Sequence, residues 1–205
     1  MIELFEFELS GNCHKVRLLL SLLGLDYQSH LLKGAEREQK SEEYLALNPF
    51  GLVPVLKDGG IVIRDSQAIL VYLARTYGNS DLFPDNPAQA AQVVAWLSTA
   101  ANEVARGPND LRLHYKFGRK IDTESASAVT ENLLSVLNRR LENHEWLATK
   151  AMTIADIAVY PYIALANEGK VDLTPFKHVE SWLERIENLP GFVAMPGIKL
   201  KSTLC

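Results

Sequence analysis

Short alternating and apolar stretches follow one another in the first part of the chain. Residues 2–7 alternate apolar and acidic side chains, which predicts a β-strand. Residues 16–23 are mostly apolar and stop at Gly24, a residue suited to the end of a helix, so a buried helix is predicted there. Residues 27–32 predict a second strand, and residues 41–48 predict a short helix.

The stretch from 48 to 72 predicts a turn, two strands and a helix. Val53-Pro54-Val55-Leu56 is an apolar β-type run with its proline near the start, where a missing N–H is tolerated. Asp58-Gly59-Gly60 predicts a hairpin to a returning strand at 61–63, after which Asp65 or Ser66 begins a helix. The order is therefore β-α-β-α-β-β-α, the thioredoxin-like arrangement, in which ligands lie at the carboxyl ends of strands.

The second part of the chain is predicted to be helical throughout. The predicted helices are 88 to about 113, 122–143, 154–166 and 179–189. Gly107-Pro108 is expected to bend or interrupt the first of them, and Thr153 with Asp156 forms a capping box at the start of the third. We therefore predict an α/β plus all-α fold. A thioredoxin-like domain occupies 1–78, a turn-rich and proline-containing linker 79–87, and an all-helical C-terminal bundle 88–205.

Composition and charge argue against several classes of function. The chain has 205 residues, of which 47% are hydrophobic and 22% charged, an ordinary globular mixture. Its net charge of −4 differs from the basic character of nucleic-acid-binding proteins, so no nucleic-acid partner is expected. The start of the chain lacks a basic region, and no apolar run reaches membrane-spanning length, so neither a signal peptide nor a membrane partner is expected.

The cysteines and histidines predict no metal site. Cys13 and Cys205 lie far apart and give neither a disulfide framework nor a zinc pattern, which favours a reduced, cytoplasmic setting. The histidines are scattered without ligand spacing, and His14 is expected at the surface.

Two features of the 48–72 stretch suit an extended peptide ligand. A proline at a strand edge presents the backbone N–H and C=O of Val53 to such a ligand. The helix start at Asp65 and Ser66 offers free N–H groups to a carboxylate. Together they predict a site that grips one extended peptide.

The same residues carry a resemblance to a known family. NPFGLVPVL at 48–56 followed by DSQAI at 65–69 resembles the glutathione-site signature of the cytosolic glutathione transferases. The resemblance implies that Pro54 is cis and that the acidic-Ser pair binds the γ-glutamyl end of glutathione, with Asp65 on the amine and Ser66 on the carboxylate. A pure capping role for this pair is the alternative, and both roles are compatible. The resemblance extends over nearly the whole chain and implies a homodimer that uses glutathione as cosubstrate and needs no metal.

Ser10 is the candidate catalytic residue. It lies between the first strand and the first helix, where a hydroxyl that donates to a thiolate lowers the thiol pKa. Capping of the helix is the alternative role. SGNCHKV resembles the phi, theta and nu classes of the family, which implies that Ser10 holds the glutathione sulfur and that Asn12 supplies a second bond. Cys13 is the rival nucleophile, although a small apolar filler is its expected role.

The remaining site residues are assigned from the resemblance and from spacing. Gln39 and Lys40 precede the short helix, where the family places contacts to the glycyl carboxylate; a solvated position is the alternative. Asn102, Arg106 and Asn109 lie four and three residues apart on one helical stripe, which faces either the pocket for a small hydrophobic electrophile or solvent.

Three functions are therefore considered. The first is a glutathione transferase that activates glutathione as a thiolate for attack on an electrophile. The second, suggested by the nu-like SGNCHK, is a glutathione-dependent disulfide or peroxide reductase. The third is a transferase-like interaction module without catalysis, against which the retained glutathione-site residues argue.

Overall fold

Four short strands form a mixed sheet in the N-terminal part of the chain. The computed structural model describes residues 1–200, so Cys205 and the end of the predicted bundle lie outside the described residues. The strands are β1 (Ile2–Glu6), β2 (Tyr27–Leu31), β3 (Val55–Asp58) and β4 (Ile61–Arg64), in the order β2-β1-β3-β4. β1 runs parallel to β2 and antiparallel to β3, and β3 and β4 form the predicted hairpin. The thioredoxin-like order of elements is confirmed.

The helices lie close to the predicted stretches. They are α1 (Gly11–Leu22), α2 (Glu42–Leu47), α3 (Ser66–Tyr77), α4 (Pro87–Ala101), α5 (Asp110–Phe117), α6 (Thr123–Glu142), α7 (Ile154–Ala164) and α8 (Lys177–Glu187). Short 3₁₀ turns at Gly34–Glu36 and Glu38–Lys40 occupy the segment between β2 and α2, and another at Ala166–Gly169 follows α7. Within residues 1–200, no helix combines the length and apolar content needed to cross a bilayer.

The first long helix of the C-terminal part is interrupted in two places. α4 ends at Ala101, with Asn102 as its C-cap, and a π-type turn at Ala105–Asn109 then leads into α5, which extends beyond the predicted end. Pro108 has no N–H to donate to the preceding turn, so the backbone widens there, as expected from the sequence. Gly107 allows close packing on α6, because an added Cβ would lie 2.8 Å from the Thr130 hydroxyl oxygen.

α7 is buried all round and joins the two parts of the protein. It packs against both α1 and α4, and all of its residues from Ile154 to Ile163 are buried. The predicted capping box at its start is confirmed: Thr153 and Asp156 each bond the backbone of the other. The Asp156 carboxylate also accepts from the Leu147 N–H at 2.9 Å and the Trp182 ring N–H at 3.0 Å, which fixes α7 in the bundle.

The prediction that His14 lies at the surface is wrong. Its side chain is fully buried, and its ring lies 6.3 Å from that of Tyr160 on α7. Burial lowers the pKa of His14 to about 3, so the ring is neutral at physiological pH. The reason for the error is that α7 covers the face of α1 that points away from the sheet. No local pattern in the sequence reveals that contact.

Candidate active site

Three segments with predicted site residues meet at one end of the sheet. The strand register places Phe5 of β1 beside Val55 of β3, and Val55 beside Arg64 of β4. The loop after β1, the residues just before β3 and the first residues after β4 therefore lie next to one another. The carboxyl ends of β1 and β4 lie at this end of the sheet, which is the end expected to bind ligands.

Ser10 caps α1 and keeps its own proton for a further bond. Its backbone is extended (φ −85°, ψ 119°), and its Oγ accepts the N–H of Cys13 at 3.3 Å. A serine hydroxyl has one donor and two acceptor positions, so the capping bond leaves the O–H free to donate. The capping role and the thiolate-binding role are thus compatible. Asn12 lies half-buried in the same first turn.

Cys13 does not compete as a nucleophile. Its side chain is fully buried, and burial raises the pKa of its thiol to about 11, against a smaller lowering by the hydrogen bond with Ser10. The thiolate is the reactive form of cysteine, and at neutral pH this thiol stays protonated. The expected role as a small buried filler is confirmed.

Val53 lies two residues before β3, beside a cis proline. The Val53-Pro54 bond is cis, as the family resemblance implied. The preceding carbonyl, that of Leu52, accepts from the Tyr44 hydroxyl at 2.8 Å and from the Asn48 side-chain amide at 2.7 Å. These two bonds anchor the loop, and they were not anticipated from the sequence. They leave Val53 at the entrance to β3, positioned to pair with an extended ligand.

Asp65 and Ser66 begin α3 in a strained conformation. Asp65 has a φ of 75°, a region that an aspartate adopts at a cost, and such strain is concentrated at functional sites. One carboxylate oxygen accepts from the N–H groups of Gln67 at 2.9 Å and Ala68 at 3.2 Å. Ser66 is buried in the first turn, and its hydroxyl donates to the Gln67 side chain. Asp65 is exposed, so its second oxygen is accessible to a ligand amine.

Gln39 and Lys40 are packed onto the loop that leads to Val53. The Lys40 ammonium donates to the Phe50 carbonyl at 2.8 Å. Gly51 has a φ of +56°, and an added Cβ there would lie 2.6 Å from the Gln39 carbonyl oxygen, so the two segments are in close contact. The Gln39 side-chain oxygen is buried and has no hydrogen-bond partner within residues 1–200. The structure therefore brings both residues to the side of the site next to Val53.

Asn102, Arg106 and Asn109 form their own local contacts. The Arg106 guanidinium donates to the Asn102 side-chain oxygen at 3.4 Å, and the Asn109 amide donates to the Ala105 carbonyl at 3.4 Å. Asn102 and Arg106 are exposed and Asn109 is half-buried. Their assignment to an electrophile pocket stays a prediction.

Arg112 reaches the loop at Ser10 from the helical part of the chain, and it is not among the site residues predicted from the sequence. Its guanidinium is 2% exposed, donates to the Leu9 carbonyl at 2.9 Å and pairs with Glu168 at 2.6 Å. Burial alone would raise the pKa of Glu168, but hydrogen bonds from Lys116 and Arg112 lower it overall. Arg112 follows Asn109 by three residues, so continuing the polar stripe would have found it.

Lys15 and Tyr162 complete the buried surroundings of the first turn of α1. The Lys15 ammonium lies 5.6 Å from the centroid of the Tyr162 ring. Burial lowers the pKa of Lys15 to about 8, while the Asp65 carboxylate acts in the opposite direction. Burial also raises the pKa of Tyr162 to about 12, so its hydroxyl is protonated at neutral pH. No pattern in the sequence distinguishes Tyr162 from a core aromatic residue.

Comparison with known protein families identifies both parts of the chain. Residues 9–76 match the family described as glutathione S-transferase, N-terminal domain. Residues 87–190 match the family described as glutathione S-transferase, C-terminal domain. The two matches leave only short segments of the chain uncovered, and residues 77–86 lie between them.

Individual relatives are similar over almost their full length. Glutathione S-transferase D7 of Drosophila melanogaster is 28% identical over 198 residues, which cover 93% of this chain and 87% of that protein. The crystal structure of a possible glutathione S-transferase from Rhodopseudomonas palustris superposes with a TM-score of 0.88 at 30% identity, covering 95% and 97% of the two chains. A glutathione transferase homologue from Drosophila mojavensis with bound glutathione superposes with a TM-score of 0.84 at 27% identity, covering 92% and 88%.

Proposed function

The chain belongs to the glutathione S-transferase family, and we propose that it binds glutathione, stabilises its thiolate and transfers it to a small hydrophobic electrophile. The observation that carries the proposal is the meeting of Ser10, the Val53-Pro54 edge and the Asp65-Ser66 cap at one end of the sheet. These three segments match the chemistry of the thiol, the cysteinyl backbone and the γ-glutamyl end of the tripeptide. The solved homologue with bound glutathione supports the same ligand for this chain.

Each segment has a role that follows from its geometry. Val53 pairs through its backbone with the cysteinyl residue of glutathione, in the manner of a strand added to a sheet edge. The free oxygen of Asp65 accepts from the γ-glutamyl amine, and the first turn of α3 at Ser66 binds the γ-glutamyl carboxylate. Lys40 and Gln39 contact the loop that leads to Val53, and they bind the glycyl carboxylate.

Ser10 acts on the sulfur of the bound peptide. Its O–H donates to the thiolate, and the Asn12 side chain supplies a second donor. Hydrogen bonds to the charged form lower the pKa of the thiol, so more thiolate is present at neutral pH than in free glutathione. The thiol proton leaves to solvent. The sulfur lone pair then forms a bond to the electrophilic carbon while the bond to the leaving group breaks.

The proposal extends to assembly and location. We propose a homodimer that works in the cytoplasm and removes reactive electrophiles by conjugation. β4 is an edge strand of the sheet, and its Ile61 and Val62 are 48% and 45% exposed. The loop before β3 adds Phe50 and Leu52, which are 59% and 62% exposed. An apolar group of this kind at a sheet edge favours contact with a second protein surface.

Calorimetry and two activity assays test the function. Glutathione is titrated at up to millimolar concentration, with cysteinylglycine as the matched control because it lacks the γ-glutamyl group. We expect saturable binding of glutathione and much weaker binding of the truncated peptide. Absence of glutathione binding would instead support an interaction module without catalysis. Activity with hydroxyethyl disulfide far above that with chlorodinitrobenzene would support the reductase, which the nu-like SGNCHK also suits, in place of the transferase.

A further inference from the structure

Two arginines, one from each part of the chain, hold the loop between β1 and Ser10. Arg17 of α1 donates to the carbonyls of residues 7 and 8, at 3.4 Å and 2.9 Å. Arg112 of α5 donates to the Leu9 carbonyl at 2.9 Å. Guanidinium groups therefore bind three successive carbonyls, and the last of these, directly before Ser10, is bound from the helical part of the chain.

The Leu9 carbonyl and the Ser10 nitrogen belong to one peptide group, which is planar and rigid. The Ser10 N–H of this group donates to the Phe7 carbonyl at 3.2 Å. With its carbonyl bound by Arg112 and its N–H bound by Phe7, the peptide group keeps one orientation. That orientation determines where the Cα and the hydroxyl of Ser10 lie relative to a ligand at the start of α1.

Contacts within the helical part of the chain hold Arg112 itself in place. The Arg112 side chain is buried, and its Nε donates to the Glu168 carboxylate at 2.6 Å. Its guanidinium carbon lies 5.2 Å from the centroid of the Phe117 ring. The turn that carries Glu168 packs closely on α5, because a Cβ added to Gly169 would lie 3.2 Å from the Arg112 backbone nitrogen. Since a guanidinium is planar with fixed donor directions, its bond to Glu168 also fixes the donor that reaches Leu9.

Stability alone does not account for the burial of Arg112. Its Nη2 is buried and has no hydrogen-bond partner among residues 1–200. A buried ion pair is weak evidence of stabilisation, because removing two charges from water costs about as much as their attraction gains. An unpaired buried donor adds a further cost. A role in holding the loop before Ser10 gives a reason for keeping this cation in the interior.

We propose that Arg112 is a positioning residue for Ser10: it holds the Leu9 carbonyl so that the Ser10 hydroxyl points at the sulfur of bound glutathione. The inference rests on the proposed function and adds to it a residue of the helical part of the chain. Arg112 does not touch the sulfur, and no covalent bond changes in this role. Activation of the thiol then depends on how α5 lies against the loop after β1.

Arg112→Met tests the proposal through the pKa of the bound thiol. The thiolate is titrated by its ultraviolet absorbance in protein saturated with glutathione. Complete loss of the hydrogen bond in Ser10→Ala should raise this pKa by about 1 to 2. For Arg112→Met we expect a rise of about 0.5 to 1, or an about three- to tenfold smaller ratio of thiolate to thiol at fixed pH, because a displaced hydroxyl loses part of its bond. The KM for glutathione should change little, since its other contacts remain.

Lys116→Met is the matched control. Lys116 pairs with the same Glu168 carboxylate and lies 5.7 Å from the centroid of the same Phe117 ring. Among the described residues, the structure shows no bond from Lys116 to the Leu9 carbonyl. The control therefore removes a positive charge beside Glu168 and keeps the bond to Leu9. It should leave the pKa of the bound thiol unchanged, and a rise equal to that of Arg112→Met would overturn the proposal.

Two further variants separate position from charge. Arg112→Lys keeps the positive charge but lacks the rigid fork that reaches two acceptors, so it should also raise the pKa of the bound thiol. It serves equally if Arg112→Met does not fold. A rise in Arg112→Met that is absent in Arg112→Lys would assign the effect to charge and overturn the proposal. Arg112→Met combined with Ser10→Ala should match Ser10→Ala alone, and a further rise in the double variant would contradict an action through Ser10.

The positioning role and the proposed function fail in different ways. If the unaltered protein binds no glutathione, or binds it without lowering the thiol pKa, both are overturned. If it lowers the thiol pKa and Arg112→Met titrates identically, the positioning role alone is overturned. Lower stability of Arg112→Met in urea, with an unchanged thiol pKa, would also overturn it, because Arg112 would then only join the two parts of the chain.

Discussion

Replacement of Lys15 by methionine should stabilise the protein. The Lys15 side chain is 1% exposed, and its ammonium forms no ion pair within the part of the chain that the structure describes. Burial lowers its pKa from 10.5 to about 8. Because one pKa unit corresponds to about 1.4 kcal/mol, keeping the charge in the folded protein costs about 3 kcal/mol. Methionine is unbranched and apolar, so it fills the same space without that cost.

The effect depends on pH in a defined direction. Below about pH 8 the lysine is protonated in both the folded and the unfolded chain, and the full cost is present. Between about pH 8 and 10.5 the unfolded chain keeps a proton that the folded protein has lost, so the stability of the unaltered protein rises with pH. The advantage of Lys15→Met should therefore shrink from about 3 kcal/mol at pH 7 to about 1 kcal/mol at pH 10.

Urea denaturation at the two pH values measures this difference, and both proteins are compared at the same concentration so that the proposed dimer affects both equally. At neutral pH the midpoint of thermal unfolding should rise by about 6–12 °C. Lys33→Met is the matched control: its side chain is 69% exposed and forms only a surface pair with Glu36, so little change is expected. A Lys15→Met variant that is less stable at pH 7, or whose advantage does not vary with pH, would refute the reasoning.

Three further variants test the site and the bundle. Ser10→Ala should cut turnover while leaving glutathione affinity largely intact, and a pH–rate profile like that of the unaltered protein would remove Ser10 from the mechanism. Asp65→Ala should raise the KM for glutathione, since the amine loses its partner; an unchanged KM would contradict the γ-glutamyl assignment. Asp156→Ala leaves the N–H groups of Leu147 and Trp182 unpaired in the core. It should lower the free energy of unfolding by about 3–5 kcal/mol, and a loss below about 1 kcal/mol would count against the fixing role of Asp156.

Structural features that depend on neighbouring residues could be predicted from the sequence. The Gly-Gly hairpin, the capping box at Thr153 and the succession of strands and helices along the chain all depend on residue types a few positions apart. The interruption at Pro108 follows in the same way from the missing N–H of proline. The cis bond at Pro54 came from the family resemblance, since local spacing does not determine the isomer.

Features that depend on distant packing were missed. His14 is buried because α7 covers α1, and these helices are more than 100 residues apart along the chain. Tyr162 lies against the first turn of α1 for the same reason, and its one local hint is Gly11, which leaves the space that the Tyr162 ring occupies. Arg112 reaches the Leu9 carbonyl from α5, and its local hint is the polar stripe that it continues three residues after Asn109.

A crystal structure with bound glutathione tests the central claim most directly. The account predicts an extended tripeptide paired with the backbone of Val53, its γ-glutamyl end at Asp65 and its sulfur within hydrogen-bond distance of the Ser10 hydroxyl. Glutathione bound elsewhere, or with its sulfur directed away from Ser10, would contradict it.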